Sequence, residues 1–175
     1  RAQPRHPEGK VANVLVAMAT AEDEYVDTLL FLEEALLSFD RYEIGVRPHP
    51  EISVDRALLR LPHLRLDFQL MDGPLDVNLD WADVVVYVSS TVGLDAVSVG
   101  IPAISIDLGN FISADPAPED CPLKWSVTRP SQLVPAFQRI EEISNSEYEC
   151  LQSQATEFGT RYFRPVTDES LKAFS

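Results

Sequence analysis

The chain is short of nearly everything that would mark a specialised class. It has two cysteines, Cys121 and Cys150, placed 29 positions apart in unlike surroundings. They form neither a CxxC pair nor a disulfide framework, which suits a reducing cytoplasm. Three histidines, His6, His49 and His63, are scattered without zinc-site spacing, so no structural metal is expected. No apolar run approaches the roughly 18 to 20 residues of a membrane-spanning helix. Residues 1–10 carry charge and two prolines but lack a signal peptide's apolar core, so they read as a linker. No internal repeat is visible.

Basic residues are scarce as well. Lys and Arg number 14 against 28 Asp and Glu, a formal net charge of −14. The first ten residues hold Arg1, Arg5 and Lys10 against Glu8, which leaves −16 on the remainder. Such a surface repels nucleic-acid backbones and anionic membranes, so neither is an expected partner.

What is present is ample core material. A chain of 175 residues with 45% hydrophobic content fits one domain, taken here as 11–164 with a tail at 165–175. Val11–Ala19 is a nearly continuous apolar run with β-branched residues, the pattern of a strand covered on both faces. Asp23–Ser38 then repeats Tyr25, Val26, Leu29, Leu30, Leu36 and Leu37 at helical spacing. Further strands are expected at Tyr42–Val46, Leu64–Leu70, Val84–Val88, Ala103–Ile106 and Leu123–Val127. The helices between and after them fall at Val54–Leu61, Leu75–Ala82, Thr91–Val99, Ser131–Ile143 and Ser146–Phe158, and Phe111–Pro122 is a polar, Pro-rich loop. Gly100 and Pro102 supply the stop after Thr91–Val99.

Strands alternating with helices indicate an α/β fold. The expected form is a doubly wound, Rossmann-like open parallel sheet of about six strands with helices on both faces. In that order strands one and four are neighbours, and ligands bind outside the carboxyl ends of the strands where the chain reverses. The loops meeting there are Thr20–Glu24, Arg47–Pro50 and Ser89–Gly93.

Two of these loops carry candidate chemistry. Ser89, Ser90 and Thr91 follow a buried strand and precede a helix, whose first N–H groups can hold a phosphate. Gly93 would let a ligand come close to the backbone. The plain alternative is that Ser90 or Thr91 caps the helix. In Arg47-Pro48-His49-Pro50 the prolines stiffen the turn, and both Arg47 and His49 can donate to a phosphate. Glu22, Asp23 and Glu24 suit a helix start electrostatically but would repel a diphosphate lying above strand one.

With these residues in view, the segment Ile44–Asp107 resembles the carboxyl-terminal domain of GT-B-fold glycosyltransferases. The features that carry the likeness are strand–Ser89-Ser90-Thr91–helix, then Asp95, then Gly100-Ile101-Pro102 and another apolar strand. Arg47-Pro48-His49-Pro50 is similar to the His-Pro motif of bacterial sialyl-, Kdo- and glycerophosphate-transferases of surface polysaccharides, and to a turn in UDP-N-acetylglucosamine 2-epimerase. The resemblance implies that Arg47, His49, Ser89, Ser90, Thr91 and Gly93 contact the phosphates of a UDP-, CMP- or CDP-linked sugar. It puts Asp95 on the ribose hydroxyls, one methylene shorter than the family's usual Glu. It further implies that no metal or other cofactor is needed, that the enzyme is cytoplasmic, and that the acceptor domain is absent from this chain, leaving it inactive alone. No catalytic base is identifiable. The alternatives are a nucleotide-sugar 2-epimerase-like domain, or a non-enzymatic receiver-like signalling module built on Glu22, Asp23, Asp72 and Ser90.

Overall fold

The structure is a computed structural model that describes residues 10–109 and 115–163. Its strands are β1 (Asn13–Ala17), β2 (Glu43–Arg47), β3 (Gln69–Leu70), β4 (Val84–Tyr87), β5 (Ala103–Ile106) and β6 (Lys124–Val127). The helices are α1 (Glu22–Leu36), α2 (Val54–Arg60), α3 (Leu75–Trp81), α4 (Val92–Ser98), α5 (Leu133–Glu141) and α6 (Asn145–Tyr162). All strand pairs are parallel and the sheet order is β3-β2-β1-β4-β5-β6, the doubly wound order the sequence predicts. It is not the 2-1-3-4-5 order of receiver modules, so that alternative loses its frame. The expected tail at 165–175 and all of the expected linker except Lys10 lie outside the described residues.

Period-two alternation along each strand divides the core between two faces. Val14 and Val16 of β1, Val84 and Val86 of β4 and Ile104 and Ile106 of β5 point to one face, where α1, α2 and α5 cover them. Leu15 and Ala17, Val85 and Tyr87, and Ala103 point to the other, under α3, α4 and α6. Helices therefore lie on both faces. Each fully buried Val, Leu or Ile contributes about 1.5–3 kcal/mol, which is why β1 and β4 carry hardly a polar atom. The stop after α4 is as expected, with Gly100 at φ 83°.

One strand is far shorter than its sequence suggests. Leu64–Leu70 alternates as a strand should, yet only Gln69 and Leu70 pair, opposite Gly45 and Val46. Leu66 is still buried, and Leu64 and Phe68 still pack on the core, so the alternation was a true burial signal. Continuing the register backwards, however, would set Glu43 opposite Asp67, and like charges facing across a pair destabilise it. The two backbones part there and leave a cavity of about 370 Å³.

A buried polar cluster fastens the loop after β5 to the sheet. Lys124 Nζ lies 2.7 Å from Asp115 Oδ2, and the two side chains are 6% and 11% exposed. The ammonium also donates to the Ala117 and Pro118 carbonyls at 2.7 and 3.2 Å, so all three of its protons are used. Asp115 Oδ1 accepts from the Tyr87 hydroxyl at 2.8 Å and from the Ala117 N–H at 2.9 Å. Burial pushes the Asp115 carboxyl up, but the bonds from Lys124, Ala117, Tyr87 and Ser105 outweigh it and hold it below the usual carboxylate range. Breaking such a pair from one side strands the other charge. Lys124→Met is expected to lower unfolding stability by about 3–5 kcal/mol at neutral pH. Asp115, depressed in the folded state, stabilises above its unfolded value of about 3.9, and that stabilisation fades as pH falls through the folded value. Urea titrations at pH 7 and pH 3 should therefore show the Lys124→Met deficit shrinking at acid pH.

Candidate functional site

β1 pairs with β2 on one side and β4 on the other, so the chain reverses between them and opens a crevice at their carboxyl ends. The first turn of α1 fills its centre. The Ser89 hydroxyl donates to Glu24 Oε2 at 2.6 Å. The main-chain N–H of the next histidine loop, at His49, donates to the Tyr25 hydroxyl at 2.7 Å. The Met18 N–H donates to the Arg47 carbonyl at 3.0 Å, tying the end of β2 to the loop after β1. Consecutive residues of one helix turn thus each hold one of the two candidate loops. Each loop is tied to α1.

The individual side chains are more committed than expected. Arg47 Nη1 donates to the Gly73 carbonyl at 2.9 Å and to Asn78 Oδ1, so part of its guanidinium clamps α3. Asn78 is only 2% exposed, which makes this a built contact rather than a surface one. His49 Nδ1 accepts from the Glu51 N–H at 3.3 Å, which in the neutral ring leaves Nε2 as the donor. Arg47 and His49 line a cavity of about 480 Å³ with Met71, Asp72 and Gly73, on the β2–β3 side of the crevice. None of Ser89, Ser90, Thr91 and Asp95 lines that cavity.

The turn before α4 largely satisfies itself. Ser90 Oγ accepts from the Val92 N–H at 3.4 Å, which is the capping role foreseen as the plain alternative. The Ser90 carbonyl accepts from Gly93 N–H, and the Thr91 carbonyl from the Leu94 and Asp95 N–H groups. Thr91 is exposed and makes no side-chain cap. Gly93 packs closely against the sheet. A Cβ there would sit 2.4 Å from the Tyr87 ring, which is fully buried. Asp95 is half-buried, and desolvation raises its carboxyl above the ordinary value. A desolvated carboxylate of that kind is suited to accept hydroxyl donors from a ligand.

Sequence reasoning misses Tyr25 as a site residue, because it counts as one more apolar position in the helix, though a buried phenol needs a partner for its hydroxyl. Glu24 is placed at the crevice by its position after β1, but its bond to Ser89 is not visible in the sequence. Among the described residues no group of three or more His, Cys, Asp or Glu could hold a metal ion, and no helix is long and apolar enough to cross a membrane.

No protein-family model matches the sequence, and no curated protein is significantly similar to it. Solved structures do share its fold. The calicheamicin glycosyltransferase CalG4 superposes with a TM-score of 0.61 at 14% identity, over 98% of this chain and 43% of its own. TarM gives 0.58 at 11% identity, over 94% of this chain and 34% of its own. The carboxyl-terminal domain of the group 1 glycosyltransferase LpcC from Francisella tularensis gives 0.52 at 13% identity, over 89% of this chain and 87% of that domain. The chain therefore has the fold of a Rossmann-like domain of GT-B glycosyltransferases, as the resemblance implied. It spans about a third of TarM and under half of CalG4.

Two substitutions test the local assignments. Gly93→Ala is expected to cost about 1–3 kcal/mol through overpacking against Tyr87, measured by urea unfolding. Asp95→Asn should raise the melting temperature at pH 7, because a folded-state carboxyl held above its unfolded value destabilises once ionised. That gain should vanish below about pH 3.9, where the unfolded carboxyl is protonated too.

Proposed function

We propose that the chain is the donor-binding domain of a cytoplasmic glycosyltransferase that takes a sugar from a UDP-, CMP- or CDP-linked donor in surface polysaccharide or glycoconjugate synthesis. The acceptor domain belongs to a part of the protein beyond this chain, and the 175 residues alone bind nucleotide without transferring sugar. The observation that carries this reading is the state of His49. Its main-chain N–H is anchored on Tyr25 and its Nδ1 on the Glu51 N–H, so Nε2 is fixed as a donor beside the cavity that Arg47 also lines. A rigid donor and a permanent cation at one wall are what a departing nucleotide phosphate needs as the anomeric carbon is displaced. The two Arg47 contacts that hold it to α3 also pre-orient its remaining N–H groups. Thr91, exposed at the mouth of the second loop, adds a hydroxyl, and Asp95 an acceptor for ribose. Among proteins of the same fold, TarM has been crystallised with UDP.

Isothermal titration of the chain with UDP, CDP and CMP tests the reading. At least one nucleotide should bind. His49→Ala should weaken it by about ten- to a hundred-fold, the loss of one charge-assisted bond of roughly 1.5–3 kcal/mol, with the melting curve little changed. Ser90→Ala should do the reverse, costing about 1 kcal/mol of stability as a lost cap. Absence of binding for all three nucleotides would overturn the proposal, as would sugar transfer by the isolated chain.

A further inference from the structure

Glu24 occupies an unusual position for a helix-start acid. It sits in the first turn of α1, where the partial positive charge of fifteen residues of helix welcomes it. Its neighbours do not explain where it points. Asp23 turns outward to pair with Arg60 at 2.5 Å, with 83% of its side chain exposed. Glu24 instead turns across the crevice to Ser89, the first hydroxyl after β4, and takes its proton at 2.6 Å. That bond spans 65 positions of sequence and joins the two central strands' loops.

The contact satisfies only half of the carboxylate. Oε1 is shut off from solvent and has no hydrogen-bond partner. The Thr28 hydroxyl, one turn further along the same helix, is likewise buried without a partner, and Thr28 is 1% exposed. A buried carboxylate oxygen with no donor is costly, so this arrangement is one the side chain would leave for a better partner. Ser89, for its part, offers its single proton to whatever anion lies closest.

From this geometry we infer that Glu24 is an internal occupant of the anion site, a carboxylate seated on Ser89 where a ligand phosphate oxygen would bind. The inference rests on the nucleotide-binding reading of the crevice and extends it to Ser89, which lies outside the cavity that Arg47 and His49 line. Ligand and carboxylate then exclude each other twice over, by competition for the one Ser89 proton and by repulsion between like charges. Binding requires Glu24 to swing off Ser89, and its stranded Oε1 makes that movement cheap. Glu24 thereby sets the affinity of the site and discriminates against ligands with more negative charge. None of the ion pairs among the described residues involves Glu24.

The test is titration of UDP, CMP and inorganic pyrophosphate into the parent chain, Glu24→Ala, Glu24→Gln and Glu22→Ala. Glu22→Ala removes the same charge from the same helix turn without touching Ser89. Glu24→Ala should bind UDP at least ten-fold more tightly than the parent, with a larger gain for pyrophosphate than for CMP. Glu24→Gln keeps a bond to Ser89 but sheds the charge, so it should gain less than Glu24→Ala. Glu22→Ala should gain no more than two- to three-fold, the part owed to net charge alone. Parent and Glu24→Ala binding UDP equally would overturn the inference while leaving the nucleotide-binding reading intact. A gain in Glu22→Ala as large as that in Glu24→Ala would also overturn it. Failure of every variant to bind any probe would overturn both, and thermal melts confirm that each variant is folded.

Discussion

The parallel pairing of β1 with β4 is the constraint on which the rest of the molecule hangs. It joins the first strand to the fourth, so connections before and after it must leave in opposite directions. Helices consequently end up on both faces, and both strands must be apolar on both sides. That requirement explains Val14–Ala17 and Val84–Tyr87, where every side chain is buried. It also explains the crevice, since loops leaving in opposite directions cannot close over the strand ends. A cleft at this place is a product of topology before any side chain is chosen.

How much of this was legible depends on what kind of signal each residue carried. Fully buried strands announced themselves, because Val85 and Ile104 leave no polar alternative. Strand β3 announced its place but not its length, because extending it would set Asp67 opposite Glu43 from another strand, a relation that no local window contains. The crevice loops were legible as places, through topology, but their occupancy was not. Ser89 looks the same in sequence whether its proton points at solvent or at Glu24, and that choice depends on a residue 65 positions away. Gly93 has a packing role that no local window shows, because the Tyr87 ring fills the space a side chain there would take.

Tyr87 links parts of the molecule that would otherwise be independent. Its ring fixes how close α4 comes to β4, and its hydroxyl fixes Asp115, which Lys124 holds from β6. The start of α4 and the segment at 115–118 are therefore referenced to one rigid side chain. Such sharing favours a single well-defined arrangement of the carboxyl edge, because no member can shift without disturbing bonds of the next. The polar atoms of this cluster are bonded to one another, unlike Glu24 Oε1, which is buried without a partner.

The short outer strand has a bearing on the life of the molecule in a crowded solution. An exposed sheet edge is a template on which any other extended chain can add itself, and long, flat, apolar edges seed aggregates. Here the edge offers two paired residues, Gln69 and Leu70, bounded by Asp67 and Asp72. The repulsion that peels the preceding stretch away from Glu43 would meet an intruding strand as well, and a visitor would find too few groups to grip. A single disfavoured cross-strand neighbour thus blunts the β3 side of the sheet, which leaves β6 as the longer of its two edges.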